Sequence, residues 1–297
     1  MARNHKVHGL DSSTEPFEVV DIVSRVPPPT DSEYNWFREH LLSKTGIALG
    51  DGKQLLMEGR LSPRLYALGL TSYGAYLRHL KADKGRSELR HFVDALTTNM
   101  TSFFREDDQL HHARGVWEKQ LRSETVFVWS AACSSGEEVY SLAMLLEESR
   151  GKLHNFDYRI LGTDIDTQCL ARARRGVYEE QTMSNLPVEL RKKYFSDAVS
   201  VNPERFCIDE SLKSRTKFRN MNLITDGGRS LPLTFHFIYL RNVLIYFEPP
   251  TIAQIIRHIE QRLKPGGFLY LGHSETIDLS GTSLVKTNTS CYQLGHA

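Results

Sequence analysis

The sequence has little that would cross-link it, hold a metal or place it in a bilayer. Its four cysteines, Cys133, Cys169, Cys207 and Cys291, lie far apart with no Cys-x-x-Cys pair. That argues against a disulfide frame or structural zinc and fits reduced, mostly buried thiols. No apolar run approaches the roughly 20 residues that span a bilayer, so direct membrane insertion is not expected. The polar start of the chain lacks the apolar centre of a signal peptide, and a cytoplasmic location is expected. Internal repeats are absent, and net charge is only +1.

What is there suits a globular protein. At 297 residues, 40% hydrophobic and 25% charged, the chain can build a full core and two domains. The charge is uneven. Residues 34–105 carry eleven basic and six acidic side chains, net +5, against a net −3 over residues 1–33. A basic module on a near-neutral body points to an acidic partner, with a solvated helical surface as the competing reading.

Residues 1–30 show no period and end in Val26-Pro27-Pro28-Pro29-Thr30, a flexible or extended lead-in. Residues 31–97 read as a helical domain. Trp36, Phe37, Leu41 and Leu42 mark one helix, and Met57, Leu61, Leu65 and Leu68 mark a second, with a kink or break expected at Pro63. Two shorter helices follow at Tyr73–Leu80 and Glu88–Leu96. Lys53, Arg60 and Arg64 fall on one stripe of the second helix, a candidate docking face for an acidic partner.

The centre of the chain is Val126–Tyr140, an apolar strand, a turn of small residues around Gly136, and a helix opening with Glu137 and Glu138. This strand-turn-helix unit begins a nucleotide-binding sheet, and Gly136 is read as the point of close ligand approach. Tyr158–Thr163 is a second strand ending at Asp164, 28 residues beyond Gly136, where an acid meets a cofactor ribose. Asp166 reads as the cap of the next helix. Short strands near Arg205–Asp209 and Thr216–Arg219 suggest an antiparallel flap over residues 191–219. Phe235–Leu240 and Phe268–Gly272 are buried strands, and Ser283–Lys286 with Ser290–Leu294 closes as a hairpin.

An open α/β sheet with this turn takes one of two cofactor types. A dinucleotide needs Gly-x-Gly-x-x-Gly so that its pyrophosphate can lie on the backbone. Here a single glycine is followed by two acids, which repel phosphate. S-adenosylmethionine, which carries a sulfonium and an ammonium, is favoured on electrostatic grounds.

Several segments together resemble one family, the chemotaxis-receptor glutamate methyltransferases. They are Thr98-Asn99-Met100-Thr101-Ser102-Phe103-Phe104-Arg105, Trp129–Glu138, Thr163-Asp164-Ile165-Asp166, Arg241–Phe247, Leu263–Gly267 and Gly272-His273-Ser274-Glu275. They run in the family's order from about residue 31 to the C-terminus. The resemblance implies an α/β fold: a Rossmann-like class I methyltransferase sheet with an N-terminal helical domain (31–97) and a small inserted antiparallel subdomain within 98–297. It implies transfer of a methyl group from S-adenosyl-L-methionine to receptor glutamates, giving γ-methyl esters in sensory adaptation.

By position, the resemblance implies that Asn99, Thr101, Arg105, Glu138, Asp164, Asn222, Leu223, Arg241 and Asn242 contact the cofactor. It places Arg105 and Tyr246 nearest the transferring methyl, one of them orienting the incoming carboxylate. The family usually has aspartate where His236 stands, and often Ala or Ser where Cys133 stands. The implied partner is the helical, glutamate-containing cytoplasmic region of a methyl-accepting chemotaxis receptor. No nucleic acid or metal is expected, and the protein is expected to be a monomer. A methyltransferase for RNA or small molecules and a non-catalytic cofactor-sensing adaptor are the rival readings.

Overall fold

Thr30, the last residue of the proline-rich lead-in, starts the first helix. Its hydroxyl accepts from Glu33 N (3.3 Å) and the Glu33 carboxylate accepts from Thr30 N (2.8 Å), a reciprocal cap. The computed structural model describes residues 26–50, 52–83, 87–121, 125–197 and 205–295; the expected lead-in therefore lies mostly outside the described residues. Helix α1 (Asp31–Thr45) ends at Gly46, whose φ of 73° is the left-handed stop that glycine adopts most easily. Tyr34, Phe37 and Leu41 form its buried face, whereas Leu42 points outward.

Helices α2 (Gln54–Ala67), α3 (Tyr73–Ala82) and α4 (Ser87–Leu96) complete the helical domain. Its core joins Phe37, Leu41, Met57, Leu61, Leu65, Tyr76, Leu80 and Phe92. Of the kink or break expected at Pro63, the break does not occur, and α2 runs through it. The carbonyl that Pro63 leaves unbonded is that of Gly59, which is exposed and open to water.

The basic stripe also needs correction. Arg64 lies on Glu88 through two bonds (Nε 3.0 Å, Nη2 2.6 Å), and Tyr76 donates to the same buried carboxylate (2.9 Å). Arg60 donates to the carbonyls of Leu96 (3.0 Å) and Thr97 (2.8 Å) and to the Thr98 hydroxyl (3.1 Å). Because α2 packs on α4, these two cations meet the acid at one end of α4 and the carbonyls at the other. Lys53 precedes α2 and is exposed.

The remaining chain folds around a seven-stranded sheet. Its strands are β1 (Thr125–Ser130), β2 (Asp157–Asp164), β6 (Thr216–Asn220), β7 (Phe235–Leu240), β8 (Leu263–Leu271), β9 (Leu284–Asn288) and β10 (Cys291–Leu294). The order is β6-β2-β1-β7-β8-β10-β9, with β10 antiparallel to both neighbours and every other pairing parallel. Strands β1 and β7 lie side by side where the order reverses, and a ligand crevice forms at the C-terminal ends of such strands. Helices α5 (Asp107–Gln120) and α6 (Glu137–Arg150) pack against one another. The main core includes Trp117, Tyr140, Leu142, Phe237 and Tyr270. A second core around Trp129, Ile238, Leu269, Ile255 and Ile259 includes the inward face of α10 (Pro249–Glu260).

The flap is smaller and shifted relative to 191–219. A separate three-stranded antiparallel sheet is made by β3 (Val177–Glu179), β4 (Phe195–Asp197) and β5 (Arg205–Ile208). Thr216–Asn220 leaves it and forms the edge of the main sheet, parallel to β2 from Ile160↔Thr216 to Asp164↔Asn220. The short helix α9 (Glu210–Lys213) turns the chain between the two sheets.

Arg64→Glu removes the partner of a nearly buried carboxylate and adds a second acid beside it. The expected loss is about 3 kcal/mol of stability, read from the urea midpoint. A shift equivalent to less than about 1 kcal/mol would mean that the pair contributes only as a surface pair does.

Candidate active site

A cavity of about 220 Å³ opens at the C-terminal ends of β1 and β7. It is lined by Asn99, Thr101, Arg105, Glu138, Asp164, Asn222, Leu223, Arg241, Asn242 and Tyr246, so all ten residues expected at the cofactor or the reacting methyl meet in one place. Lys53 lines it too, while Arg60 and Arg64 do not. Ile165, Met221 and Leu223 give it apolar wall.

Asp164 ends β2 and organises the turn after β1. One carboxylate oxygen accepts from Ser134 N (2.7 Å) and the other from Asp166 N (2.9 Å). Each oxygen keeps a second lone pair for a ligand. Burial raises the Asp164 pKa to about 6, against the lowering effect of those backbone donors. Asp166 caps α7 (Thr167–Arg175) as expected, accepting from Gln168 N and Cys169 N.

Gly136 serves packing more than ligand approach. Its φ is 96°, and an added Cβ would lie 2.8 Å from the Ala173 Cβ and 3.1 Å from the Tyr178 hydroxyl. That space belongs to the contact of the turn with α7 and β3, and Gly136 does not line the cavity.

The segment from Thr97 to Glu106 crosses from the helical domain to the sheet. Asn99 donates to the Asp166 carboxylate (2.6 Å), and the Asn99 carbonyl accepts from the Ser134 hydroxyl (2.9 Å). Asp94, in the last helix of the helical domain, accepts from Thr167 N (3.1 Å) and its hydroxyl (2.8 Å). Phe103 is fully buried against Tyr178 and Phe195, and Phe104 N donates to the Ser141 hydroxyl (3.0 Å). Phe104 and Glu106 both have left-handed backbones (φ 52° and 51°), a strain of about 1–3 kcal/mol each that the surrounding contacts must offset.

Arg241, directly after β7, fastens this segment in place. Its side chain is 3% exposed and pairs with Glu106 (3.0 Å) and Glu138 (3.1 Å), and it also donates to the Arg105 carbonyl. Burial is the largest single effect on Glu106 and opposes its ionisation, but the Arg241 charge together with the hydrogen bonds from Arg241, Asn242 and His273 N outweighs it and the pKa is lowered. At Glu138 burial wins and the pKa is raised, with Arg241 and the Ser130 hydroxyl (2.6 Å) opposing it. One cation between two carboxylates leaves the site's interior acidic.

Two matches decide the assignment. Residues 99–292 match the family model described as "CheR methyltransferase, SAM binding domain", and residues 32–97 match "CheR methyltransferase, all-alpha domain". The chain belongs to the CheR methyltransferase family. It is 37% identical over 249 residues to "Chemotaxis protein methyltransferase 2" of Pseudomonas aeruginosa, covering 83% of this chain and 87% of that protein. It is 35% identical to "Chemotaxis protein methyltransferase" of Escherichia coli (83% and 85% covered) and 37% identical to that of Borreliella burgdorferi (78% and 83%).

This CheR protein is therefore an S-adenosylmethionine-dependent methyltransferase, and its cavity fits that cofactor. Glu138 and Asp164 line the cavity with carboxylates, and Ile165, Met221 and Leu223 give it an apolar wall. Some side chains expected as cofactor contacts are also structural. The Asn222 amide donates to the Lys44 carbonyl (2.8 Å) and its oxygen accepts from Ile224 N (2.8 Å). Glu106 was missed by sequence reasoning, although a buried arginine at the end of a strand demands acids nearby. His236 lies in β7, where its Nδ1 accepts from Phe127 N (3.0 Å) and its Nε2 lies 3.0 Å from the Lys264 amine.

Gly136→Ala should cost about 3 kcal/mol through backbone strain and the clash with α7. Urea denaturation checks this, and a loss below about 1 kcal/mol would show that the turn relaxes easily.

Proposed function

We propose that this CheR methyltransferase methylates glutamate side chains of chemotaxis receptors, forming γ-methyl esters in sensory adaptation. It would act as a monomer in the cytoplasm; no helix among the described residues is long and apolar enough to cross a membrane. The names of its relatives support the receptor assignment. The observation that carries the chemistry is the make-up of the cavity, in which no histidine or cysteine is found among the described lining residues. A glutamate acceptor needs no such base, because its pKa of about 4.3 leaves it ionised at neutral pH.

When bound, S-adenosylmethionine supplies an electrophilic methyl group on a sulfonium. Glu138, Asp164, Asn99, Thr101, Asn222, Leu223, Arg241 and Asn242 would hold it. The chain's remaining task is to align a carboxylate and exclude water. Arg105 and Tyr246 are suited to that task. Arg105 lies in the crossing segment, and its guanidinium donates to the Met100 carbonyl (3.0 Å), which fixes one edge and leaves other N–H groups for a carboxylate. Tyr246 ends the turn Leu244–Tyr246, and its backbone carbonyl accepts from Ala48 N (3.0 Å), which ties it to the helical domain.

The receptor would dock across this mouth. Of the basic stripe, Lys53 remains exposed and lines the cavity, so it is the cation best placed to meet receptor acid. Met100 and Ile245 are 81% and 58% exposed beside Arg105 and Tyr246 and offer apolar contact to the same helix.

Incubation with methyl-labelled S-adenosylmethionine and receptor-bearing membranes should give label released by mild alkali; alkali-stable label would point to another acceptor. Tyr246→Phe should lower kcat at least about tenfold, the worth of a hydrogen bond to a charged group. Affinity for S-adenosylhomocysteine should stay within about twofold, and normal turnover would remove Tyr246 from the reaction.

A pH dependence follows from Asp164. Ligand hydroxyls need its ionised form, and with a pKa of about 6 that form falls from most of the population at pH 7 to about a tenth at pH 5. Affinity for S-adenosylhomocysteine should therefore weaken about tenfold between those values. A flat calorimetric profile would mean that Asp164 does not accept from the ligand.

A further inference from the structure

Gly272, His273, Ser274 and Glu275 follow β8, and the proposed reaction uses none of them. We propose that Glu275 is a positioning residue that sets the Asn242–Tyr246 loop, and with it the reactive side of the cavity.

Glu275 is 3% exposed. One carboxylate oxygen accepts from Asn242 N (2.8 Å) and Gly272 N (2.7 Å), and the other accepts from Leu244 N (2.7 Å). These are short, charge-assisted bonds from three backbone donors to one side chain. Asn242 needs them, because its φ of 56° is a left-handed conformation in which the strand cannot continue. Strands β7 and β8 pair in parallel as far as Leu240↔Leu271, so the two loops leave the sheet side by side. Glu275 bridges them immediately beyond the last pair.

Gly272 makes the bridge short. A Cβ there would lie 2.5 Å from the Asn242 side-chain nitrogen and 2.9 Å from the Glu275 carboxylate. Glu106 supplies a second, longer contact to the Asn242 amide (3.4 Å) and accepts from His273 N (3.3 Å). Two carboxylates therefore hold the loop, one on each side. Arg241 and Asn242 enter it from β7, and Tyr246 leaves it, all three lining the cavity.

A neutral amide cannot replace Glu275. The three N–H groups are divided between both oxygens, so glutamine in either flip aims its NH₂ at a backbone donor. Glutamine should therefore be no better than alanine, although it matches glutamate in shape. A role in stability alone would lower the melting temperature but leave each folded molecule with normal affinity and turnover.

The test compares wild type, Glu275→Gln and Glu275→Ala at a temperature where all are folded. Calorimetry measures affinity for S-adenosylhomocysteine, and labelled-methyl transfer to receptor membranes gives kcat and KM. The expected result for both variants is affinity at least about fivefold weaker and kcat at least about tenfold lower per folded molecule, with KM for receptor within about twofold. Wild-type affinity and kcat in Glu275→Gln would overturn the proposal. If neither variant folds, Gly272→Ala decides, because it keeps the carboxylate and all three donors but presses on both the Glu275 carboxylate and the Asn242 amide where they meet. It should show the same loss of affinity and kcat, and normal values there would also overturn the proposal. The catalytic arm rests on the receptor reading, whereas the calorimetric arm does not. A wild-type protein that binds S-adenosylhomocysteine but labels no receptor would refute that reading and leave Glu275 to be judged by affinity.

Discussion

The Arg241 guanidinium, buried between Glu106 and Glu138, is the interaction on which the site depends. It joins three pieces distant in sequence: the end of β7, the first turn of α6 and the end of the crossing segment. A buried pair of this kind adds little net stability compared with a well-packed apolar cluster, but losing one partner leaves an uncompensated charge. It therefore selects one arrangement of these segments and penalises others. Glu138 gains a further role from this geometry, since it faces the cavity and also holds the arginine that positions the opposite wall.

That constraint explains why the crossing segment tolerates two left-handed residues. Phe104 and Glu106 turn the chain so that Phe103 enters the core while the Glu106 carboxylate reaches Arg241. Upstream, Arg60 holds the carbonyls of Leu96 and Thr97, and Asp166 holds Thr97 and Asn99. The segment is thus gripped from the helical domain, from the cap of α7 and from the sheet. On the proposed function, a substrate approaching Arg105 would meet a prearranged edge with little left to order, which would lower the entropic cost of alignment.

Much of this was legible in the sequence, for identifiable reasons. Strand-turn-helix around Gly136, the acid at the end of β2 and the closing hairpin all follow from local patterns of apolar period and turn residues. The ten cavity residues were placed by motif order, and the cavity brings them together. What misled was information that only tertiary contacts hold. Arg60 and Arg64 share a helical stripe, but that stripe faces α4 and its charges are used internally. Gly136 is a turn glycine, but the atom it lacks would strike α7. Thr216–Asn220 has strand character, and only pairing reveals that its neighbour is β2. Glu106 and Glu275 act on backbone and side-chain groups 31 to 167 residues away, apart from Glu275's bond to Gly272, so local spacing carried no sign of them.

The same contacts divide the labour within the site. The side of the cavity by the turn after β1, with Asp164 and Glu138, is acidic. The opposite side is built from Arg105, Tyr246 and Lys53, which come from the crossing segment, the loop after β7 and the start of α2. All three elements belong to, or are bonded to, the helical domain. Ala48 N holds the Tyr246 carbonyl, and the Asn222 amide reaches the Lys44 carbonyl from the sheet side. The helical domain is therefore part of the active-site wall, in addition to any docking role. An acidic interior beside a cationic rim also orders the two ligands by charge. On the proposed function a cationic donor would be drawn inward and an anionic acceptor held at the mouth, so a carboxylate could wait beside Arg105 without competing for the donor's place.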